Sequence, residues 1–320
     1  MTTAAAPPQS ASLGRKMLNK VPEVTIYFWI IKILCTTVGE TGADWLNGKL
    51  GDPVTKTLYV MSGILAVALV VQFALRRYLA PVYWVNVVLI SIVGTLITDY
   101  LHDVRGYQLL PLTEIFAVAL AVVFIAWFAV ERTLSIHTIF TTRRESFYWL
   151  TILVTFALGT AAGDYVAESL LNSSFSKAIL WFAGAIALIT VGHYFLKRAM
   201  PAVDSISVFA FWAAYILTRP LGASIGDYMS HAKKPQLIDG ELEPSGAIGL
   251  GLGTSTTSFI FLGTILALVI YLTLTRTDEI PMVEEPAAAL GLSGTRCIRG
   301  NTFVCACGRL RQQSWAPRAT

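Results

Sequence analysis

Charge is what this sequence has least of. Asp, Glu, Lys and Arg make up 14% of its 320 residues, against about 25% in a soluble domain, and that scarcity excludes an ordinary water-soluble fold. Histidine and cysteine are scarce too, at four each. Four scattered histidines make a poor hydrolytic centre, and no His-Glu-x-x-His, nucleophile elbow or phosphate loop occurs. The chain is therefore read as a non-enzyme, and no cofactor is expected. Cys35 stands alone in an apolar block while Cys297, Cys305 and Cys307 fall near the C-terminus, so no disulfide framework is implied. The Cys-x-Cys at 305 and 307 only loosely resembles a zinc site. The formal net charge is +4, and the basic residues form short clusters with no interleaved basic and aromatic surface, which argues against a nucleic-acid partner.

Apolar residues, by contrast, reach 55%. They fall in blocks at about 24 to 47, 57 to 75, 82 to 101, 111 to 130, 147 to 171, 177 to 196, 205 to 229 and 254 to 275, each long enough to cross a hydrocarbon core of about 30 Å at 1.5 Å per residue. The expected fold is all-α, a polytopic membrane bundle of about eight transmembrane helices. Short connections such as Arg76 to Pro81 and Lys197 to Pro201 make neighbouring helices antiparallel. Lys and Arg are in excess on the side of the N-terminus (Arg15, Lys16, Lys20, Arg76, Arg77, Arg132, Arg143, Arg144, Lys197 and Arg198, with Arg276 just after the last helix) over the opposite side (Lys49, Lys56, Arg105, Lys177, Lys233, Lys234). That bias predicts both termini in the cytoplasm. Residues 1–23 are expected to be a disordered cytoplasmic extension leading into an uncleaved first helix. Residues 24–277 are expected to form the membrane domain, and 278–320 a disordered tail.

An internal repeat is the most specific signal. An aromatic and a Trp, nine residues, a Gly, four residues, then an Asp and an aromatic occur four times without gaps. The copies are Phe28-Trp29, Gly39, Asp44-Trp45; Tyr83-Trp84, Gly94, Asp99-Tyr100; Tyr148-Trp149, Gly159, Asp164-Tyr165; and Phe211-Trp212, Gly222, Asp227-Tyr228. The repeat units run at about 24–77, 78–133, 143–198 and 203–276. Two crossings per unit make the four motif helices parallel, about an axis along the membrane normal. On a helix the Trp and Asp lie about 22 Å apart along the axis and about 60° apart around it.

The glycines are read as close-approach positions; a hinge is the sharper alternative where Gly39 and Gly42 share a turn and where Pro220 precedes Gly222. The tryptophans are read as interfacial anchors or packing residues. The aspartates carry the functional expectation, since an ionised carboxylate costs about 2.5 to 3.5 kcal/mol at a helix centre on insertion scales. Four of them should face a shared wet space; the alternative is that each caps a neighbouring helix near the boundary. Lys32, Glu40 and Arg219 lie on motif helices, where the cations can neutralise carboxylates. His102 and His231 follow Asp99 and Asp227 by three and four residues, a spacing that shares a helix face. Together these groups could suit a divalent transition metal, although a surface histidine at a helix end is the commoner case.

With these motifs the chain resembles a bacterial membrane-protein family of four tandem copies of a repeat of unknown function, each with two transmembrane segments and a characteristic tryptophan, here Trp29, Trp84, Trp149 and Trp212. The resemblance implies a bacterial inner membrane and brings no catalytic residues. The functional expectation is a transporter or channel for a small cation, a metal ion or a proton-coupled solute, through an acidic cluster. The alternative is a membrane sensor, scaffold or regulatory subunit that moves nothing. Lipid is the expected partner in either case.

Overall fold

A computed structural model describes residues 19–50, 54–171, 174–201, 203–233, 237–238, 241–242 and 248–278. Among them run eight long helices: α1 (Ile26–Leu50), α2 (Val54–Ala74), α3 (Ala80–Asp99), α4 (Leu109–Glu131), α5 (Thr142–Asp164), α6 (Phe175–Ala199), α7 (Ser205–Ser230) and α8 (Thr254–Thr275). Among the described residues between α7 and α8, Leu237–Ile238 pairs antiparallel with Glu241–Leu242.

Local chemistry sets the helix ends. Pro81 sits in the first turn of α3, where its missing N–H costs nothing. The Thr141 hydroxyl accepts from the Arg144 N–H to cap α5. α4 and α8 each stop at an arginine in the left-handed region, Arg132 (φ 57°) and Arg276 (φ 53°). α3 and α5 both loosen to a π-helical turn directly after their motif aspartates, over Tyr100–Val104 and Tyr165–Leu170.

The four motif helices close into a ring in which α1 packs on α3 and α7, while α5 joins α3 to α7. Each remaining helix lies outside, principally against the motif helix of the following repeat: α2 on α3, α4 on α5, α6 on α7, and α8 back on α1. The chain thus forms a polytopic membrane bundle of four parallel two-helix repeats with cyclic closure. The outer helices turn residues such as Val67, Ile125, Leu180 and Leu274 outward, all more than 60% exposed, as a surface bathed in lipid must. Seven of the eight helices are long and apolar enough to cross a membrane on their own; α1 is not one of them, because Lys32, Glu40 and Asp44 lie within it. Its polar groups are screened by α3, α7 and α8.

The expected domain limits shift at both ends. Residues 19–23, assigned above to a disordered extension, are packed as a strap across the end of the bundle nearest the N-terminus. Tyr78 N–H donates to the Asn19 carbonyl at 3.1 Å, Lys20 N–H to the Ile139 carbonyl at 2.9 Å and Glu23 N–H to the Asp278 carbonyl at 2.8 Å. Lys20 Nζ pairs with the fully buried Glu145 at 2.7 Å, and Gln72 donates to the other oxygen of that carboxylate at 2.9 Å. Asp278, placed above in the tail, is buried and accepts from the Tyr78 hydroxyl at 2.5 Å. These contacts outweigh the local polarity that marked both segments as external. Residues 1–18 and 279–320, with Cys297, Cys305 and Cys307, lie outside the described residues.

Candidate functional site

Each motif helix carries a row at four-residue spacing. Counted from the aromatic before the tryptophan, α1 presents Phe28, Lys32, Thr36, Glu40 and Asp44, and α3 presents Tyr83, Val87, Ser91, Thr95 and Asp99. On α5 the row is Tyr148, Ile152, Phe156, Thr160 and Asp164, and on α7 it is Phe211, Tyr215, Arg219, Ala223 and Asp227. Four residues drift only about 40° around a helix, so each row runs along one face. Up to the aspartates every row position is buried except the half-buried Phe211. The rows meet in layers around a central axis.

The first layer is aromatic and closes cyclically. Phe28 meets Trp84 with ring centroids 5.6 Å apart, Tyr83 meets Trp149 at 5.4 Å, Tyr148 meets Trp212 at 6.4 Å, and Phe211 meets Trp29 at 5.7 Å. The Tyr83 and Tyr148 hydroxyls are hydrogen-bonded to each other. Trp84, Trp149 and Trp212 are buried and Trp212 Nε1 donates to the Leu134 carbonyl at 3.0 Å. Of the two readings given for the tryptophans, packing describes these three; an anchor in a membrane-surface belt does not, because neighbouring repeats enclose the rings.

The motif glycines close in the same cyclic sense. A Cβ on Gly94 would lie 2.7 Å from Phe156 Cβ, and one on Gly159 would lie 2.6 Å from Arg219 Cβ. On Gly39 it would collide with Ser91, and on Gly222 with Thr36. Every motif glycine therefore faces the third-layer residue of the next repeat, which is how small residues let membrane helices approach.

Charge enters off the symmetry. In the second layer Lys32 stands where the other repeats have Val87, Ile152 and Tyr215, with its Nζ 4.0 Å from the Phe156 ring centre and 4.2 Å from that of Tyr215. Arg219, fully buried in the third layer, donates to Glu40 Oε2 at 2.9 Å, to the Thr36 carbonyl at 3.2 Å, and to the Thr95 hydroxyl. Buried charges persist when paired and hydrogen-bonded in this way.

The four motif aspartates converge at the far end. Asp44 lies within electrostatic reach of Glu40, Arg219 and Asp103, and Asp99 within reach of Glu40, Asp44, Asp164 and Asp103. Asp227 reaches Glu40, Asp44, Asp164 and Arg219. Asp99, Asp164 and Asp227 are half-buried and Asp44 is exposed. Asp103 joins them unannounced by the repeat; its position four residues after Asp99 is the signal that could have found it.

The histidines do something else. His102 Nδ1 donates to the Tyr107 carbonyl at 2.7 Å. His231 Nδ1 donates to the Asp227 carbonyl at 3.0 Å, and its ring lies 4.6 Å from that of Phe175. Both finish helix ends, and no three His, Cys, Asp or Glu among the described residues come together as a metal site would require. The cluster of Lys20, Gln72 and Glu145 was also missed, since nothing in the repeat brings residues so far apart in sequence together.

This chain belongs to the family described as Repeat of Unknown Function (DUF347), whose model matches it four times, at residues 27–78, 82–133, 147–199 and 210–278. No curated protein and no solved structure matches it.

Proposed function

We propose, proceeding from that family membership, that this multi-pass membrane protein is a transporter or channel for a small cation, with the ring of Asp44, Asp99, Asp164 and Asp227 as the entrance. One observation carries the reading: four carboxylates, one from each repeat, gather with Glu40 within electrostatic reach of one another at one end of the bundle axis. Acidic groups inside a membrane protein are costly, and they mark ion and proton pathways when they face a common wet space. A focused negative potential raises the local cation concentration. One turn deeper, Arg219 holds Glu40 at 2.9 Å and offsets part of the charge, which favours a monovalent cation or a proton-coupled solute over a multivalent metal ion. No enzymatic step is proposed. The basic excess at the tryptophan end and the family resemblance support a bacterial inner membrane with both termini cytoplasmic.

The test is flux into proteoliposomes carrying the purified protein, with tracer sodium and potassium in separate arms. The variant changing Asp44, Asp99, Asp164 and Asp227 together to Asn should lose the flux, by at least about tenfold, while eluting as the same folded species. Wild-type flux by that variant would sink the proposal. A sensor or scaffold that moves nothing is the second reading, favoured by the unbroken aromatic closure at the tryptophan end. It predicts no flux from the wild type and a protein partner retained through detergent purification.

A further inference from the structure

We infer that Lys32 carries the proton this pathway exchanges for its cation, an inference that rests on the transport reading above. Three observations on the page point to it, and each is a matter of position.

Lys32 is fully buried, and its Nζ has no hydrogen-bond partner. Glu40, the next acidic residue along the same helix, is already bound by Arg219, and that arginine lies within electrostatic reach of Lys32 itself. Instead of an anion the ammonium has two ring faces, Phe156 at 4.0 Å and Tyr215 at 4.2 Å. Ring faces attract a cation but accept no conventional hydrogen bond, so the group is held in place without being neutralised.

Symmetry provides the second observation. The equivalent positions on the other three motif helices are Val87, Ile152 and Tyr215, each as fully buried as Lys32. The ring closes at this layer with uncharged side chains three times over, so packing does not require an ammonium on α1. Lysine, unlike arginine, surrenders its proton when buried.

Location supplies the third. Lys32 lies between the aspartate cluster and the aromatic closure, on the inner row of the ring. Any cation moving along the axis meets this fixed positive charge after passing Glu40 and Arg219. The groups facing it are few: Cys35 and Glu40 on its own helix, Tyr215 and Arg219 on α7, and the uncharged Phe156 on α5. α3 adds only Tyr83 one layer away, and α8 carries no charged residue.

The step balances simply. One Nζ–H bond breaks, its electron pair stays on nitrogen, and the proton passes to water at the aspartate end, from which the cation arrives. The neutral amine removes the barrier and offers its lone pair to the cation. Reprotonation from water at the opposite end restores the ammonium and expels the cation to that end, so one proton moves against one monovalent cation.

Proteoliposomes with an entrapped pH-sensitive dye and tracer sodium or potassium test this. An imposed pH gradient should drive cation accumulation by the wild type, with an opposing change in luminal pH. Lys32→Met, close in shape and without charge, should let the tracer equilibrate with no accumulation and no pH signal. Lys32→Arg, which keeps a permanent charge, should reduce both movements at least about tenfold and keeps the test open if the methionine variant fails to fold. Coupled accumulation by Lys32→Arg at the wild-type rate would overturn the inference and leave the transport reading standing. Absence of flux from the wild type itself would remove the transport reading and this inference with it.

Discussion

At the tryptophan end the four motif helices meet through rings, each aromatic resting on the tryptophan of the next repeat. About 22 Å along the same helices, they meet through carboxylates that repel one another. Dispersion between the rings holds the first end shut, with the strap of residues 19–23 tied across it. The second is looser in its backbone: α3 and α5 abandon regular α-helical bonding directly after their aspartates, and π-turns of this kind recur where helices do functional work. The contrast separates what keeps the ring closed from what lets an ion approach it.

The strongest way to break that division is to attack the charge pair joining the two zones. Arg219→Met should leave Glu40 buried without its partner and destabilise the protein by about 3 to 5 kcal/mol, read as a fall in the midpoint of thermal aggregation in detergent. Adding Glu40→Gln to that variant should recover most of the loss. If Arg219→Met alone melts like the wild type, the pair is not what fastens the aspartate end to the closed zone.

Packing at the ring seams comes next. Gly94→Val would drive new methyl groups into Phe156 Cβ, 2.7 Å from where the added Cβ must lie, and toward the Ala157 backbone at 3.3 Å. Overpacking of this kind costs about 1 to 3 kcal/mol, whereas Gly184→Val on α6, where a Cβ meets nothing within 4 Å, should be close to neutral by the same assay.

The smallest effect sits at the strap. Burial foremost, then the negative charge of Asp278 and the hydrogen bond to it, push the Tyr78 phenol above its ordinary range. Above the unfolded phenol value of about 10 the unfolded chain gives up a proton that the folded one retains, so stability falls as pH rises through that window. Tyr78→Phe should lower stability at neutral pH by about 1 kcal/mol and flatten the decline above pH 10, measured as unfolding midpoints from pH 8 to 11. An unchanged slope would mean that Tyr78 is not buried against Asp278.

Much of this architecture was legible beforehand because a membrane imposes simple rules. Block length indicated the helices, and the spacing from Trp29 to Asp44 and its three copies indicated four parallel motif helices, pseudo-fourfold or two-plus-two. What the repeat could not reveal was who touches whom around the ring. Nothing local tells that Gly39 faces Ser91, or that α8 returns to α1 in the place α2 takes on α3. The site was half legible for the same reason. The aspartates announced themselves by their cost in hydrocarbon, but the pairing of Arg219 with Glu40 joins helices from the first and last repeats. For the histidines, helical spacing shows only that two side chains can share a face; the structure adds that the imidazoles of His102 and His231 satisfy backbone carbonyls at 2.7 and 3.0 Å through Nδ1. Polarity likewise marked residues 19–23 as external, whereas the carbonyl of Ile139 and the carboxylate of Glu145 draw Lys20 inward.

The pairing of Glu40 with Arg219 spans 179 residues, which has a consequence for biogenesis. A ribosome adding about 5 to 20 residues per second exposes α1 to the insertion machinery on the order of ten seconds before α7 emerges. Through that interval α1, the helix least able to enter a bilayer unaided, waits with an acidic and a basic group lacking their later neighbours. The nascent first segment must therefore be sheltered, by the translocon or at the lipid headgroups, until the last repeat arrives, and truncation after the third repeat should make it a target for membrane quality-control proteolysis.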